Sequence, residues 1–129
     1  MGLDMYAHSI PTDENISPVD FDIKTLDERP GDCPRIHYWR KHPNLHGWMR
    51  ERYINKGGSD PDFNVSTLQL TPEDIDELEK TIKAGDLPDT SGFFFGMTDG
   101  SEIEDDLAFV AKARKEFAKG NSVAYYAWW

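Results

Sequence analysis

The sequence predicts a two-layer α+β fold, with one mixed or antiparallel sheet of about four to five strands and three helices on one face. Two observations carry this. Segments at both ends of the chain, Leu3–Ser9 and Ser122–Trp129, alternate with the period of half-buried strands. Between them, apolar stripes at helical spacing begin near Pro43, Thr71 and Ser101, each separated from the next by a short extended run.

The elements follow in order. Leu3, Met5 and Ala7 face one way in the first strand, and Asp4, Tyr6 and His8 the other. A long acidic, proline-containing loop follows at about residues 10–34, with room for a short extended piece at Asp20–Thr25. Arg35–Trp39 reads as extended. A helix then starts at Pro43, a residue suited to the first helical position, with Leu45, Trp48, Met49 and Tyr53 as its apolar stripe and Gly57-Gly58 as its end. Val65–Leu70 is the next strand. Thr71-Pro72-Glu73-Asp74 opens the second helix with a capping hydroxyl, proline at N1 and acids toward the positive helix end. Ile75, Leu78 and Ile82 form its buried face, and Gly85 closes it. Gly92–Met97 reads as a buried strand. Ser101 and Glu104 suggest a capping box for the third helix, with Ile103, Leu107, Val110, Ala111 and Phe117 on its core face. In the last strand Val123, Tyr125, Ala127 and Trp129 share a side.

A chain of 129 residues with one cysteine, Cys33, is read as a single domain with no internal disulfide, suited to a reducing compartment. No apolar run reaches the roughly 20 residues of a membrane helix, and neither a basic nor an apolar signal region opens the sequence. The expectation is therefore a cytoplasmic protein without membrane contact. The net charge of −10 argues against direct nucleic-acid binding. A homo-oligomer is compatible with this composition.

Charge is unevenly distributed. Residues Arg35–Lys56 carry six of the fourteen Lys and Arg and Glu51 as their only acid, a net +5 against −15 elsewhere. Three of the four His and two of the four Trp lie in the same stretch. Within it, Tyr38, Trp39, Arg40, Lys41, His46 and Trp48 are the candidate ligand-binding residues. Arg supplies a planar donor fork, Lys a point charge, and the rings a stacking face for an anionic small molecule or a partner's surface. The same residues also read as core indoles and helix-solvating cations, and both readings stand at this point.

Other chemistry is less well supported. Cys33, His37, His42 and His46 have a spacing reminiscent of metal ligands, but Pro43 breaks the helical register at His42 and neighbouring cations oppose a divalent ion, so no metal site and no cofactor are assigned. His46, oriented by Asp4 or another acid, is a candidate general base for a small hydrolase or transferase. No nucleophile elbow, P-loop or dinucleotide fingerprint accompanies it, so no catalytic residue is assigned and a binding protein is favoured over an enzyme. Acids concentrated at Glu73–Glu79 and Asp99–Asp106 read as helix first turns with a solvated face. The alternative is an acidic inhibitor, or nucleic-acid mimic, of a basic host or defence protein.

The opening MGLDMY, the YWRK with the later LHGW, the GFFFG and the EDDL segment together resemble a family of small proteins encoded by bacteriophages and prophages. The similarity spans most of the chain outside residues 10–34. Some relatives carry a phosphoglycerate kinase label, which 129 residues without a phosphate-transfer motif do not support. The resemblance implies an accessory product of an infected or lysogenic bacterial cell that acts by binding. It would either inhibit a host or defence protein or sequester a small molecule, with Tyr38, Trp39, Arg40, Lys41 and His46 among the matching positions.

Overall fold

A computed structural model of the chain describes residues 3–11, 17–21, 35–64, 66–88, 90 and 102–128. Among these, four strands form one antiparallel sheet: β1 (Asp4–Pro11), β2 (Arg35–Arg40), β3 (Thr67–Leu70) and β4 (Asn121–Trp128), in the spatial order β2-β1-β4-β3. Three helices complete the fold, α1 (Pro43–Asn55), α2 (Pro72–Ala84) and α3 (Ile103–Ala118). The α+β class and the antiparallel sheet agree with the sequence. The expected strand at Gly92–Met97 lies outside the described residues, as do Cys33, Ser101 and Trp129.

Register sorts every side chain onto one of two faces, because successive residues of a strand point oppositely. Met5 pairs with Trp39 and Ala127, and Ala7 with His37 and Tyr125. These point to the helices, where they join Leu45, Trp48, Met49 and Tyr53 of α1, Ile75, Leu78 and Ile82 of α2, and Phe109, Val110 and Ala113 of α3 in one core. The stripes expected for α1 and α2 are thus the ones that pack. Burying a large apolar side chain contributes roughly 1.5–3 kcal/mol, and most of that burial lies in this core. Ile10 and Ala124, with half-buried Phe21 against them, form a second, smaller cluster on the opposite face of the sheet.

Helix ends follow the local sequence in two cases. Thr71 caps α2 by accepting from the Asp74 N–H, and the Asp74 carboxylate accepts from the Thr71 N–H in return. Gly85 closes the helix at φ 70°, a left-handed conformation that costs glycine nothing. The third helix departs from expectation. Its N-cap position is Glu102, with no side-chain cap bond, and its buried residues are Asp106, Phe109, Val110, Ala113 and Glu116. Ile103 is exposed, Ala111 faces solvent, and Leu107 and Phe117 are half-buried. The helix is rolled so that Asp106 points inward, and the reason is a set of hydrogen bonds to β2 described below.

The loop after β1 returns at residues 17–21, where Val19 bridges Leu68 and extends the β3 edge. Asp20 then accepts from the hydroxyl of buried Tyr53, which in turn accepts from the Asp60 N–H at 2.8 Å. Tyr53 is held against Gly58, where an added Cβ would stand 2.3 Å from two ring carbons. Gly58→Ala is therefore expected to cost about 1–3 kcal/mol through overpacking. Urea unfolding of the variant checks this, and an unchanged midpoint would show that the ring has room to move.

Candidate functional site on the open sheet face

The face of the sheet turned away from the helices carries an aromatic row. Tyr38 of β2, Tyr6 of β1 and Tyr126 of β4 occupy one rung, the first two directly paired and the second pair likewise. Their ring centroids are 5.3 Å apart for Tyr6–Tyr38 and 5.9 Å for Tyr6–Tyr126, all tilted against each other. In the next rung Asp4 lies between Arg40 and Trp128. Trp128 is 51% exposed and its indole N–H reaches the Tyr6 hydroxyl at 3.4 Å, while Tyr38 is 42% exposed.

Cations line the β2 side of this row. The Arg35 guanidinium sits 5.8 Å from the Tyr6 ring centre and 5.5 Å from that of Tyr38, within cation–π range of both. Arg40 approaches Asp4 at 3.7 Å with its side chain about half exposed. Tyr38 donates to the same carboxylate at 2.6 Å, and this bond, with partial burial, raises the Tyr38 pKa above its ordinary value. Burial does the same for Tyr126. Both phenols therefore stay protonated at neutral pH and remain hydrogen-bond donors. Lys41 follows in a left-handed turn, φ 56°, its N–H bonded to the Leu3 carbonyl at 2.8 Å, with its side chain exposed.

The six residues expected to form a single ligand patch are thus divided. Tyr38 and Arg40 stand on the open face and Lys41 at its rim, whereas Trp39, His46 and Trp48 are buried beneath the sheet. Alternation explains Trp39, which as the neighbour of Tyr38 must point the opposite way. His46 is 1% exposed and lies in the interior. It stacks on Phe63 at 5.1 Å, and its Nδ1 lies 2.7 Å from the Tyr125 hydroxyl. Asp4, its suggested orienting acid, is on the opposite face. Trp48 packs in the core with the Arg52 guanidinium 4.8 Å from its ring centre.

The +5 stretch is divided in the same way. On α1, Arg50 donates twice to the Pro61 carbonyl, at 3.1 and 2.9 Å, and Lys56 joins Asp74 and the Gln69 carbonyl. Arg50 ties the loop at Pro61 to the helix, and Lys56, at the C-cap, ties the helix end to β3 and α2. Arg35 and Arg40 stand on the open face, at opposite ends of β2, Arg35 against the Tyr6 and Tyr38 rings and Arg40 beside Asp4, with Lys41 following at the rim.

Beneath β2 lies a second polar group that the sequence reading placed on a solvated surface. Asp106 is buried, with the Trp39 indole N–H donating to one oxygen at 3.1 Å and His42 Nε2 2.8 Å from the other. His37 Nε2 lies 3.0 Å from Asp105, and Lys112 Nζ is 3.1 Å from its Nδ1. Lys112 donates there, which leaves Nε2 as the protonated nitrogen that donates to Asp105. Three of the four suggested metal ligands are thereby accounted for. His37 and His42 serve as anchors to α3, and His46 as a core ring. Among the described residues no cluster of three or more His, Cys, Asp or Glu is arranged to hold a metal.

The acids of α2 and α3 are partly matched internally. Arg114 binds Glu79 at 2.8 Å and Asp76 at 3.0 Å, and Lys83 is 3.7 Å from Glu79. At the far end of the sheet a cleft of about 310 Å³ opens between Leu70, Thr71, Pro72, Phe117 and Asn121, away from the aromatic row.

Comparison with protein-family models, with curated proteins and with solved structures gives no match. Among the described residues no helix is long and apolar enough to cross a membrane. Functional inference therefore rests on the chemistry of the open face.

Proposed function

We propose that the protein is a non-enzymatic binding protein whose open sheet face holds a planar, anionic small molecule. The observation that carries this is the rung Tyr38–Tyr6–Tyr126, flanked by Arg35 over two of its rings. Rings supply a sequence of π-faces, and guanidinium groups supply charge-assisted donors, Arg35 over the Tyr6 and Tyr38 rings and Arg40 in the next rung beside Asp4. Such a ligand lies flat across β1 and β4 with its negative group toward β2. The resemblance to phage-encoded proteins supports a setting in an infected bacterial cytoplasm, where sequestering such a molecule would be an accessory role.

The alternative of an acidic inhibitor has weaker support, since Arg114 and Lys83 already engage acids of its presumed contact surface. The test is a titration with 1-naphthoate followed by isothermal calorimetry. The double variant Arg35→Ala/Arg40→Ala is expected to bind at least about tenfold more weakly, the equivalent of roughly 1.4 kcal/mol, with an unchanged thermal unfolding midpoint. Equal affinity in the double variant would remove the open face as the site.

A further inference from the structure

We propose that Lys112 is a reactive amine that takes an acyl group from a small thioester, with His37 as its base and Asp105 as the residue that positions that base. The three side chains lie on the helix side of β2, apart from the tyrosine row, and owe nothing to binding there. They are joined in series. Lys112 Nζ stands 3.1 Å from His37 Nδ1, and His37 Nε2 stands 3.0 Å from Asp105 Oδ2. A nucleophile in hydrogen-bond contact with a base, itself oriented by a third group, is the constellation that activates side chains for covalent chemistry.

The donors present fix where the protons sit. An ammonium has no acceptor, so Nδ1 accepts from Lys112 and Nε2 carries the ring proton toward Asp105. His37 thus offers Lys112 an unprotonated nitrogen, and the carboxylate on its far side stabilises the imidazolium that proton uptake creates. The ring is held in place, with its side chain 5% exposed and the rings of Trp39 and Phe109 centred 4.4 and 5.7 Å away. Lys112 itself is exposed, so an acyl donor reaches Nζ from solvent.

The setting of Lys112 differs from that of other lysines in the chain. Lys56 meets Asp74, Lys83 meets Glu79 and Lys119 meets Glu116, carboxylates that favour the charged ammonium. In a protein of net charge −10, Lys112 is bonded instead to a neutral imidazole. Nζ passes one proton to His37 Nδ1, and the freed lone pair attacks the thioester carbonyl carbon. The N–C bond forms as the C–S bond breaks, the leaving thiolate takes a second proton from the nitrogen, and His37 releases its own to solvent. The product accounts for the choice of an acyl donor. An amide keeps one N–H, which still donates to Nδ1, whereas a neutral imine formed with an aldehyde keeps none.

The test incubates the protein near neutral pH with S-acetyl-N-acetylcysteamine and follows acetylation of each lysine by peptide mass spectrometry. Lys112 is expected to react at least about tenfold faster than the exposed Lys80 and Lys115, since a positioned base contributes roughly 100-fold or more. His37→Gln keeps an acceptor for Lys112 and a donor for Asp105 but takes up no proton. There the preference is expected to disappear with the thermal unfolding midpoint unchanged. Asp105→Asn should lose most of it, and Asp105→Glu should recover it. Equal rates at Lys112, Lys80 and Lys115 in the wild type would overturn the assignment. Retention of the preference in His37→Gln would do the same by tracing it to exposure alone. Should that variant unfold, retention in Asp105→Asn, altered only at an exposed position, would overturn it instead.

Discussion

Replacing Asp106 with alanine is expected to remove about 3–5 kcal/mol of stability, a large part of the 5–15 kcal/mol typical of a domain. The carboxylate is almost fully enclosed, with 2% of its side chain exposed, and so is its partner His42. Trp39 and His42 both direct ring nitrogens at it, at 3.1 and 2.8 Å. Alanine would leave two buried polar ring nitrogens facing a void, and an unsatisfied buried group costs more than the bond it once made was worth. Asp106→Asn keeps an oxygen for one of the two rings and is expected to fall between wild type and alanine. The adjacent Asp105, whose side chain is 55% exposed, supplies the contrast, since its pairing with His37 is screened by water. Urea unfolding of Asp106→Ala, Asp106→Asn and Asp105→Ala measures these differences. A loss below about 1 kcal/mol in Asp106→Ala would show that water or a rotated side chain takes over the role of the carboxylate.

Acidification supplies the second large effect, and it is traceable to His46. Burial, with a smaller contribution from the positive charge of Arg50, depresses its pKa from 6.5 to about 3. Burial also raises the Tyr125 pKa well above its ordinary value, so the phenol keeps its proton in its hydrogen bond with Nδ1. In the unfolded chain His46 takes up a proton near pH 6.5, while in the folded protein it does so only near pH 3. Between those values the unfolded state binds more protons, so stability falls as pH drops, and the loss is complete below the folded value. From pH 7 to pH 5 this single ring removes about 2 kcal/mol. In His46→Gln that part of the slope should be missing. Carboxylates such as Asp20 and Asp60, whose pKa values are lowered, keep contributing at lower pH in both proteins. Denaturation at the two pH values compares the proteins directly, and parallel slopes would show that His46 titrates normally in the folded state.

Much of the architecture is legible in the sequence because it depends on local rules. Pro43 and Thr71-Pro72 start helices, and alternation in residues 3–9 and 122–128 separates inward from outward side chains without any knowledge of neighbours. The candidate site is only half legible for the complementary reason. Tyr6 and Tyr126 each appear in the sequence on the side of their strand opposite the apolar one, and Tyr38 appears in a third extended segment. That they form one row follows from β1 lying between β2 and β4, and strand order is a long-range property that periodicity does not encode. Clustering by sequence proximity instead grouped Trp39, His46 and Trp48 with Tyr38, although alternation turns Trp39 away from its neighbour. Asp106 was missed because an acid in a helix first turn is ordinarily solvated. The available signal was indirect: a stripe through Phe109, Val110 and Ala113 extends back onto Asp106 at helical spacing.

The central pair of strands has a consequence for how the chain reaches this state. β1 and β4 lie side by side in the middle of the sheet, yet Asp4 and its partner Trp128 are about 120 positions apart along the chain. During synthesis β1 and β2 pair first among the described strands, and the β1 edge that β4 occupies is filled only after residues 121–128 leave the ribosome. Closing so long a loop is slow compared with forming helices. Assembly of the sheet, and with it the tyrosine row, therefore waits for β4, so that shortening β4 would disable β1 as well.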